Sequence, residues 1–138
     1  MIVVDAGAVL ELLLRTSAGA QVEDLFDREE VTAPDLVDAE VFSGLIRARK
    51  SGRLSEDELS SRVELLRDVD VERYPARELL SRAQSCAAAL SGYDALYAAL
   101  ATVLRCPLLT ADSRFAATAV DQLDIPTICI PSSGRRAP

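Results

Sequence analysis

At 138 residues, the chain has the length of a single domain. Apolar residues make up 49% of it, yet no apolar run approaches the roughly 20 residues needed to cross a membrane. Its first residues lack the basic-then-apolar layout of a signal peptide. We therefore expect a cytoplasmic protein with no membrane segment, in which residues 1–131 form one domain and residues 132–138 a flexible tail.

Composition also excludes several kinds of chemistry. The chain has no histidine, which removes imidazole acid–base catalysis, Ser-His-Asp and Cys-His nucleophiles and histidine-bound zinc. Its three cysteines are far apart and are expected to be reduced thiols, and the net charge of −7 argues against a protein that coats nucleic acid. The chemistry that remains uses carboxylates, hydroxyls or a metal ion.

The chain opens with a predicted strand at residues 2–4, followed directly by Asp5. A β-branched run, then small residues and helical apolar spacing indicate a buried strand that turns into a helix over residues 7–14. A break at residues 16–19 precedes a short amphipathic helix over residues 21–26. Ligand sites in parallel α/β sheets form beyond the carboxyl ends of strands, so Asp5 is a candidate for chemistry as well as for helix capping.

The rest of the chain alternates short strands with helices. The predicted elements are a strand at 31–34 stopped by its proline, a helix that Pro34 opens and that runs to Lys50, a helix over 55–67 with a capping box, an edge strand at 70–74, helices over 76–90 and 95–104, a strand at 107–110, a helix over 113–120 and a strand at 125–130. Alternation without hairpin signals predicts a three-layer α/β/α sandwich around a mainly parallel sheet.

Four acids differ from the surface carboxylates because each lies at the end of an element or beside small residues. They are Asp5, Glu40, Asp94 and Asp112. Asp112 repeats the arrangement at Asp5, since it too lies between an apolar strand and a helix. Glu40 shares a helix face with Gly44, which would leave it room to face a cleft. Taken singly, Asp5 and Asp94 are also explained by helix capping and the helix dipole.

Only the fold can gather acids so far apart in sequence. If the two strand-end acids lie on neighbouring strands and the two helical acids face the same edge, the four carboxylates form one pocket. Such a cluster repels itself unless cations occupy it. Oxygen ligands without histidine or cysteine select hard ions such as Mg²⁺ or Mn²⁺, which can hold a phosphodiester and activate water without an imidazole base.

Four segments resemble the acidic motifs of PIN-domain nucleases. They are Ile2-Val3-Val4-Asp5, Ala39-Glu40-Val41, Tyr93-Asp94-Ala95-Leu96-Tyr97-Ala98-Ala99-Leu100-Ala101 and Leu109-Thr110-Ala111-Asp112. The length of the chain and residues 47–59 resemble in particular the toxins of VapBC toxin–antitoxin systems. The family often has Ser or Thr soon after its first Asp, whereas this chain has Ala6-Gly7-Ala8.

The resemblance implies a metal-dependent ribonuclease that leaves a 5′-phosphate and a 3′-hydroxyl. Carried over residue by residue, it implies that Asp5, Glu40, Asp94 and Asp112 bind Mg²⁺ or Mn²⁺, and that Thr110 orients water or phosphate. It also implies a homodimer and a cognate VapB-like antitoxin whose tail lies across the acidic groove.

Other interpretations stay open at this point. Asp5 could be a phospho-acceptor, but Gly7 stands where haloacid-dehalogenase-like phosphatases expect a second Asp, and response-regulator receivers need a late strand-end lysine that is absent. A PIN-like module that binds RNA or protein without catalysis is a further alternative. The basic cluster between Arg47 and Arg53 is explained as solvated surface, as a contact to RNA phosphates, or by pairing of Arg47 with a partner's carboxylate.

Overall fold

In the computed structural model, which describes residues 1–132, five parallel strands form one sheet. The strands are β1 (Ile2–Val4), β2 (Val31–Pro34), β3 (Glu72–Tyr74), β4 (Leu108–Thr110) and β5 (Thr127–Cys129). Their spatial order is β3-β2-β1-β4-β5, and Val4 of β1 is in register with Leu109 of β4. The prediction of a parallel sheet with a weak edge strand near residue 72 is confirmed.

The order of the strands creates a switch point at the centre of the sheet. From β1 the chain steps outward to β2 and β3, and it then crosses back to add β4 and β5 on the other side of β1. Connections leaving β1 and β4 therefore diverge, and a crevice opens beyond the carboxyl ends of these two strands. Asp5 follows β1 directly, and Asp112 lies two positions after the last residue of β4.

Helices cover both faces of the sheet. Within the described part of the chain they are α1 (Ala6–Leu13), α2 (Ser17–Arg28), α3 (Val37–Lys50), α4 (Glu56–Asp68), α5 (Leu80–Gln84), α6 (Gly92–Leu104) and α7 (Ser113–Leu123), with a 3₁₀-helix at Ala76–Leu79. Helix α1 packs on α2 and α3, α3 packs on α4, and α6 packs on β1, β2 and β4 beside α5. The architecture is the expected three-layer α/β/α sandwich. None of the helices in residues 1–132 combines the length and the apolar character needed to cross a membrane.

Buried aliphatic side chains hold the short central strands in place. Val3, Val4, Leu108 and Leu109 have no solvent exposure, which is typical of parallel strands covered on both faces. Helix α3 packs closely on α1, because a Cβ atom at Gly44 would lie only 2.7 Å from Leu10 Cδ2. The sequence predicted free space beside Glu40 at Gly44, but Leu10 of α1 fills the space next to this glycine.

The expected break at residues 16–19 is instead the start of α2. The Thr16 hydroxyl oxygen caps this helix by accepting the Gly19 N–H at 3.0 Å. A Cβ atom at Gly19 would lie 2.1 Å from the Glu11 carbonyl oxygen, so the glycine allows α1 and α2 to touch through their backbones. The prediction was wrong because this glycine serves a contact between helices and does not end one.

Two further predictions need correction. Pro34 is the last residue of β2, paired with Tyr74 of β3, and does not begin the following helix. The helix expected over residues 76–90 divides into the 3₁₀-helix, the short α5 and a series of turns. In these turns, the Cys86 N–H bonds to the carbonyl three residues back, and the Ser85 hydroxyl donates to the Arg82 carbonyl at 2.6 Å. Side-chain competition for backbone acceptors favours such turns over a continuous helix.

The predicted tail begins at Ser132, the last described residue. Its N–H donates to the Ala111 carbonyl at 2.9 Å, and its hydroxyl donates to Glu11 Oε2 at 3.2 Å. The remainder of that predicted segment, residues 133–138, lies outside the described residues.

Candidate active site

Asp5 is the most deeply buried of the four predicted acids, with 6% of its surface exposed. It caps α1, because its Oδ1 accepts the Ala8 N–H at 2.9 Å. Its Oδ2 accepts a hydrogen bond from the Thr110 hydroxyl, which the pairing of β1 with β4 brings alongside. The capping explanation and a role in the site are thus compatible. This chain lacks the Ser or Thr that the family often has soon after its first Asp. Asp5 is instead contacted by the Ala8 N–H and by the hydroxyl of Thr110 on β4.

Asp112 lies across the crevice at the start of α7. Its Oδ1 accepts the N–H groups of Arg114 and Phe115 at 2.9 and 3.1 Å, which caps the helix. Its own N–H donates to Thr110 Oγ at 3.0 Å. Thr110 is fully buried, and its hydroxyl group links the two strand-end acids by donating to Asp5 and accepting from Asp112.

Glu40 and Asp94 reach the same region from α3 and α6. Tyr97, one turn after Asp94 on α6, is almost completely buried, and its hydroxyl donates to Glu40 Oε1 at 2.6 Å. This hydrogen bond joins residues 57 positions apart in the sequence, one on α3 and the other on α6. Glu40 and Asp94 are both half-buried, so each side chain keeps part of its surface exposed.

The electrostatics of Asp5 show that it shares its surroundings with other acids. Burial raises its pKa from 3.8 to about 6. The hydrogen bonds from Thr110 and Ala8 oppose that rise, whereas the nearby carboxylates of Asp94 and Asp112 add to it. Three of the predicted acids therefore interact with one another.

Glu40 and Asp94 extend the same set. Burial raises the pKa of Glu40, against the effect of the Tyr97 hydrogen bond, and the Asp94 carboxylate raises it further. Burial also raises the pKa of Asp94, as does repulsion from Asp112. Each of the four acids is thus coupled to at least one other, and the fold gathers into one region side chains that the sequence spreads over more than 100 positions.

The charge of this cluster has no internal counter-ion among residues 1–132. No Arg or Lys side chain in that range forms an ion pair with any of the four acids. Across the same residues, no three Asp, Glu or Cys side chains approach closely enough to form a complete metal site. A donor set of carboxylates with this charge fits a hard divalent ion such as Mg²⁺ or Mn²⁺.

Tyr97 is a site residue to which the sequence assigned no role. It lies three positions after Asp94 on the same helix face, within the motif around Asp94, and these were the signals in the sequence. Its partner Glu40 is on a different helix, so the contact depends on how α3 and α6 pack.

A parallel α/β domain with an acidic crevice at its switch point defines a recognised class of protein. The model of the PIN domain family matches residues 2–121, and the chain belongs to that family. Among its relatives, Ribonuclease VapC9 of Mycobacterium tuberculosis is 40% identical over 128 residues, covering 93% of this chain and 98% of the relative. The family recognised from the acidic motifs is thereby confirmed, and the phosphatase and receiver alternatives lose their support.

Solved structures show the same fold. PAE2754 from Pyrobaculum aerophilum superposes with a TM-score of 0.65 at 23% identity, covering 94% of this chain and 90% of that one. VapBC2 from Rickettsia felis, bound to a DNA fragment from its promoter, gives a TM-score of 0.61 at 14% identity, covering 94% of this chain and 98% of that one.

Proposed function

We propose that the protein is a Mg²⁺- or Mn²⁺-dependent endoribonuclease of the VapC type, the toxin of a toxin–antitoxin pair, with residues 1–131 as its nuclease domain. The near full-length similarity to Ribonuclease VapC9 supports this class of activity. The observation that carries the proposal is the convergence of four carboxylates, from β1, α3, α6 and the end of β4, with no ion-paired cation among the described residues.

In this proposal, Asp5, Glu40, Asp94 and Asp112 hold the ion. When bound, such an ion would neutralise charge on the phosphate and lower the pKa of water. Thr110 is fully buried and its hydroxyl is engaged by Asp5 and Asp112, so it acts as a positioning residue for these two acids. We propose this supporting role in place of the direct contact with water or phosphate that the family resemblance implied.

The reaction is hydrolysis of an RNA phosphodiester. The oxygen of water bonds to phosphorus, and the bond from phosphorus to O3′ breaks, which leaves a 5′-phosphate and a 3′-hydroxyl. Because the chain has no histidine, the bases available at this edge of the sheet to accept the proton of water are carboxylates.

The proposed partner is a VapB-like antitoxin that covers the acidic crevice, and the proposed setting is the cytoplasm, with the toxin as a homodimer. The structural neighbour VapBC2 of Rickettsia felis, a complex bound to promoter DNA, supports pairing with an antitoxin. Covering the crevice would silence the enzyme because substrate could no longer reach the carboxylates.

Cleavage of single-stranded RNA by the purified protein tests the proposal. Activity should require Mg²⁺ or Mn²⁺ and disappear with EDTA, and Asp94→Asn should lower the rate by about 100-fold or more. Asp121→Asn, which removes the same charge from an exposed position of α7, is the matched control and should retain activity. Expression of the wild type, but not of Asp94→Asn, should inhibit growth.

Two results would contradict the proposal. Cleavage that persists in EDTA would reject the metal requirement. RNA binding without any cleavage in the presence of either ion would favour the alternative of a PIN-like module without catalysis.

A further inference from the structure

An open groove of about 420 Å³ lies beside the acidic crevice, between α3 and the start of α6. Its lining residues are Leu36, Ala39, Glu40, Ser43, Arg47 and Tyr93. Pockets for small ligands have volumes of about 300–1,000 Å³, so the groove has room for one nucleotide. Because Glu40 belongs to both regions, a chain lying in the groove would continue into the carboxylate cluster.

Tyr93 presents an aromatic ring to this groove. It is 63% exposed, although large aromatic residues usually contribute to a core. It directly precedes Asp94, so the ring lies at the boundary between groove and crevice. An exposed ring can stack on any nucleobase, and such stacking is a common means of holding single-stranded nucleic acid.

Arg47 supplies a positive charge on the opposite wall. Its Nη1 donates to Ser43 Oγ at 3.0 Å, one turn earlier on α3. Among residues 1–132 it forms no ion pair, whereas Arg49 on the same helix pairs with Glu56 at 3.5 Å. Arg47 lies two turns from Glu40, a rise of about 10 Å along the helix axis. Its guanidinium is thus available for a bidentate contact with an anion.

We propose that this groove binds the nucleotide next to the scissile phosphate, with Tyr93 stacked on its base and Arg47 paired with its phosphate. The inference rests on the proposed ribonuclease function and names the substrate subsite. Charge complementarity favours RNA as the occupant, because a polyanion that approaches four carboxylates needs a cation nearby to offset the repulsion. A flat aromatic face opposite a guanidinium matches a base and its phosphate better than it matches an acidic peptide alone.

Binding of a short fluorescent single-stranded RNA, measured by anisotropy in Mg²⁺, tests this assignment apart from cleavage. The parent protein is Asp94→Asn, which keeps the RNA intact. In that background, Tyr93→Ala and Arg47→Gln should each raise Kd about tenfold, whereas Tyr93→Phe should bind as the parent does. Phe42→Ala, at an exposed aromatic outside the groove, and Arg49→Gln are matched controls and should change Kd less than about twofold.

The salt dependence adds a second readout. For Arg47→Gln alone, the slope of log K against log salt should become shallower by about 0.7, the value for one phosphate contact to a single strand. Unchanged Kd in both groove variants, an equal loss in Arg49→Gln, or no RNA binding by the parent would overturn the assignment. So would an Arg47→Gln protein that binds RNA normally but no longer retains a co-expressed antitoxin, because the cation would then serve the partner.

Cleavage by the same variants with Asp94 restored separates the two proposals. If the wild type does not cleave RNA while the groove variants lose RNA binding, the proposed function fails, and the groove stands only as an RNA-binding site. If the wild type cleaves and the groove variants bind and cleave as it does, the subsite fails and the proposed function stands.

Discussion

Replacing Asp5 with Asn should make the metal-free protein more stable than the wild type at neutral pH, but not at acidic pH. The carboxylate is 6% exposed, and burial raises its pKa from 3.8 to about 6. That difference corresponds to about 3 kcal/mol of folding free energy lost on ionisation. Asn keeps the shape of the side chain, and its Oδ1 can still accept the Ala8 N–H.

The direction of the pH effect follows from the raised pKa. The unfolded chain ionises Asp5 near its ordinary value, whereas the folded protein resists ionisation until about pH 6. The contribution of protonated Asp5 to the free energy of unfolding is therefore fully present below about pH 4, and it is lost as the pH rises through about 6. Asn does not ionise, so the variant should gain up to about 3 kcal/mol over the wild type between about pH 4 and pH 7. The altered contact with Thr110 should cost about 1 kcal/mol at every pH.

Urea unfolding in EDTA, followed by circular dichroism at several pH values, measures this difference. Asp27→Asn, at an exposed position of α2, controls for the general loss of negative charge and should differ from wild type by less than about 0.5 kcal/mol. Mn²⁺ at about 100 times its Kd should restore about 2.7 kcal/mol to the wild type and far less to Asp5→Asn. A free-energy difference between Asp5→Asn and wild type that stays constant across pH would show that the pKa of Asp5 is not raised in the folded protein.

Further predictions concern two glycines and a tyrosine. Gly19→Ala should destabilise the protein by several kcal/mol because its Cβ would lie 2.1 Å from the Glu11 carbonyl oxygen. Gly7→Ala, whose Cβ would lie 3.6 Å from Asp5 Oδ1, should be neutral or stabilising by up to about 1 kcal/mol. Equal melting temperatures for the two variants would contradict this contrast. Tyr97→Phe removes the hydroxyl bonded to Glu40 and should slow RNA cleavage about tenfold at low Mn²⁺, with partial recovery at high Mn²⁺. A rate equal to wild type at every Mn²⁺ concentration would show that Tyr97 does not position Glu40.

Features that depend on short stretches of sequence were predictable. Ser55 and Glu58 form the capping box that begins α4, as their spacing indicated. Asp5 and Asp112 each follow a short apolar strand, and parallel strands present their carboxyl ends at one edge. The topology then places β1 beside β4, which brings these two acids to a common crevice.

Features that depend on packing between distant elements were not predictable. From the sequence, Gly19 predicts an interruption between two helices. Only the close approach of the Glu11 backbone explains why this glycine lies inside a helix. The pairing of Tyr97 with Glu40 requires the relative placement of α3 and α6. Likewise, the burial of Thr110, which makes it a support for two acids, follows from its place at the end of a central strand.

Anomalous diffraction from crystals grown or soaked in Mn²⁺ would locate the metal ion that the four carboxylates are proposed to bind. We expect a manganese peak in the crevice beyond β1 and β4, within coordinating distance of carboxylates drawn from Asp5, Glu40, Asp94 and Asp112, and no such peak in Asp94→Asn crystals. An enzyme that cleaves RNA in Mn²⁺ but shows its manganese peak elsewhere, or none in the crevice, would contradict this expectation.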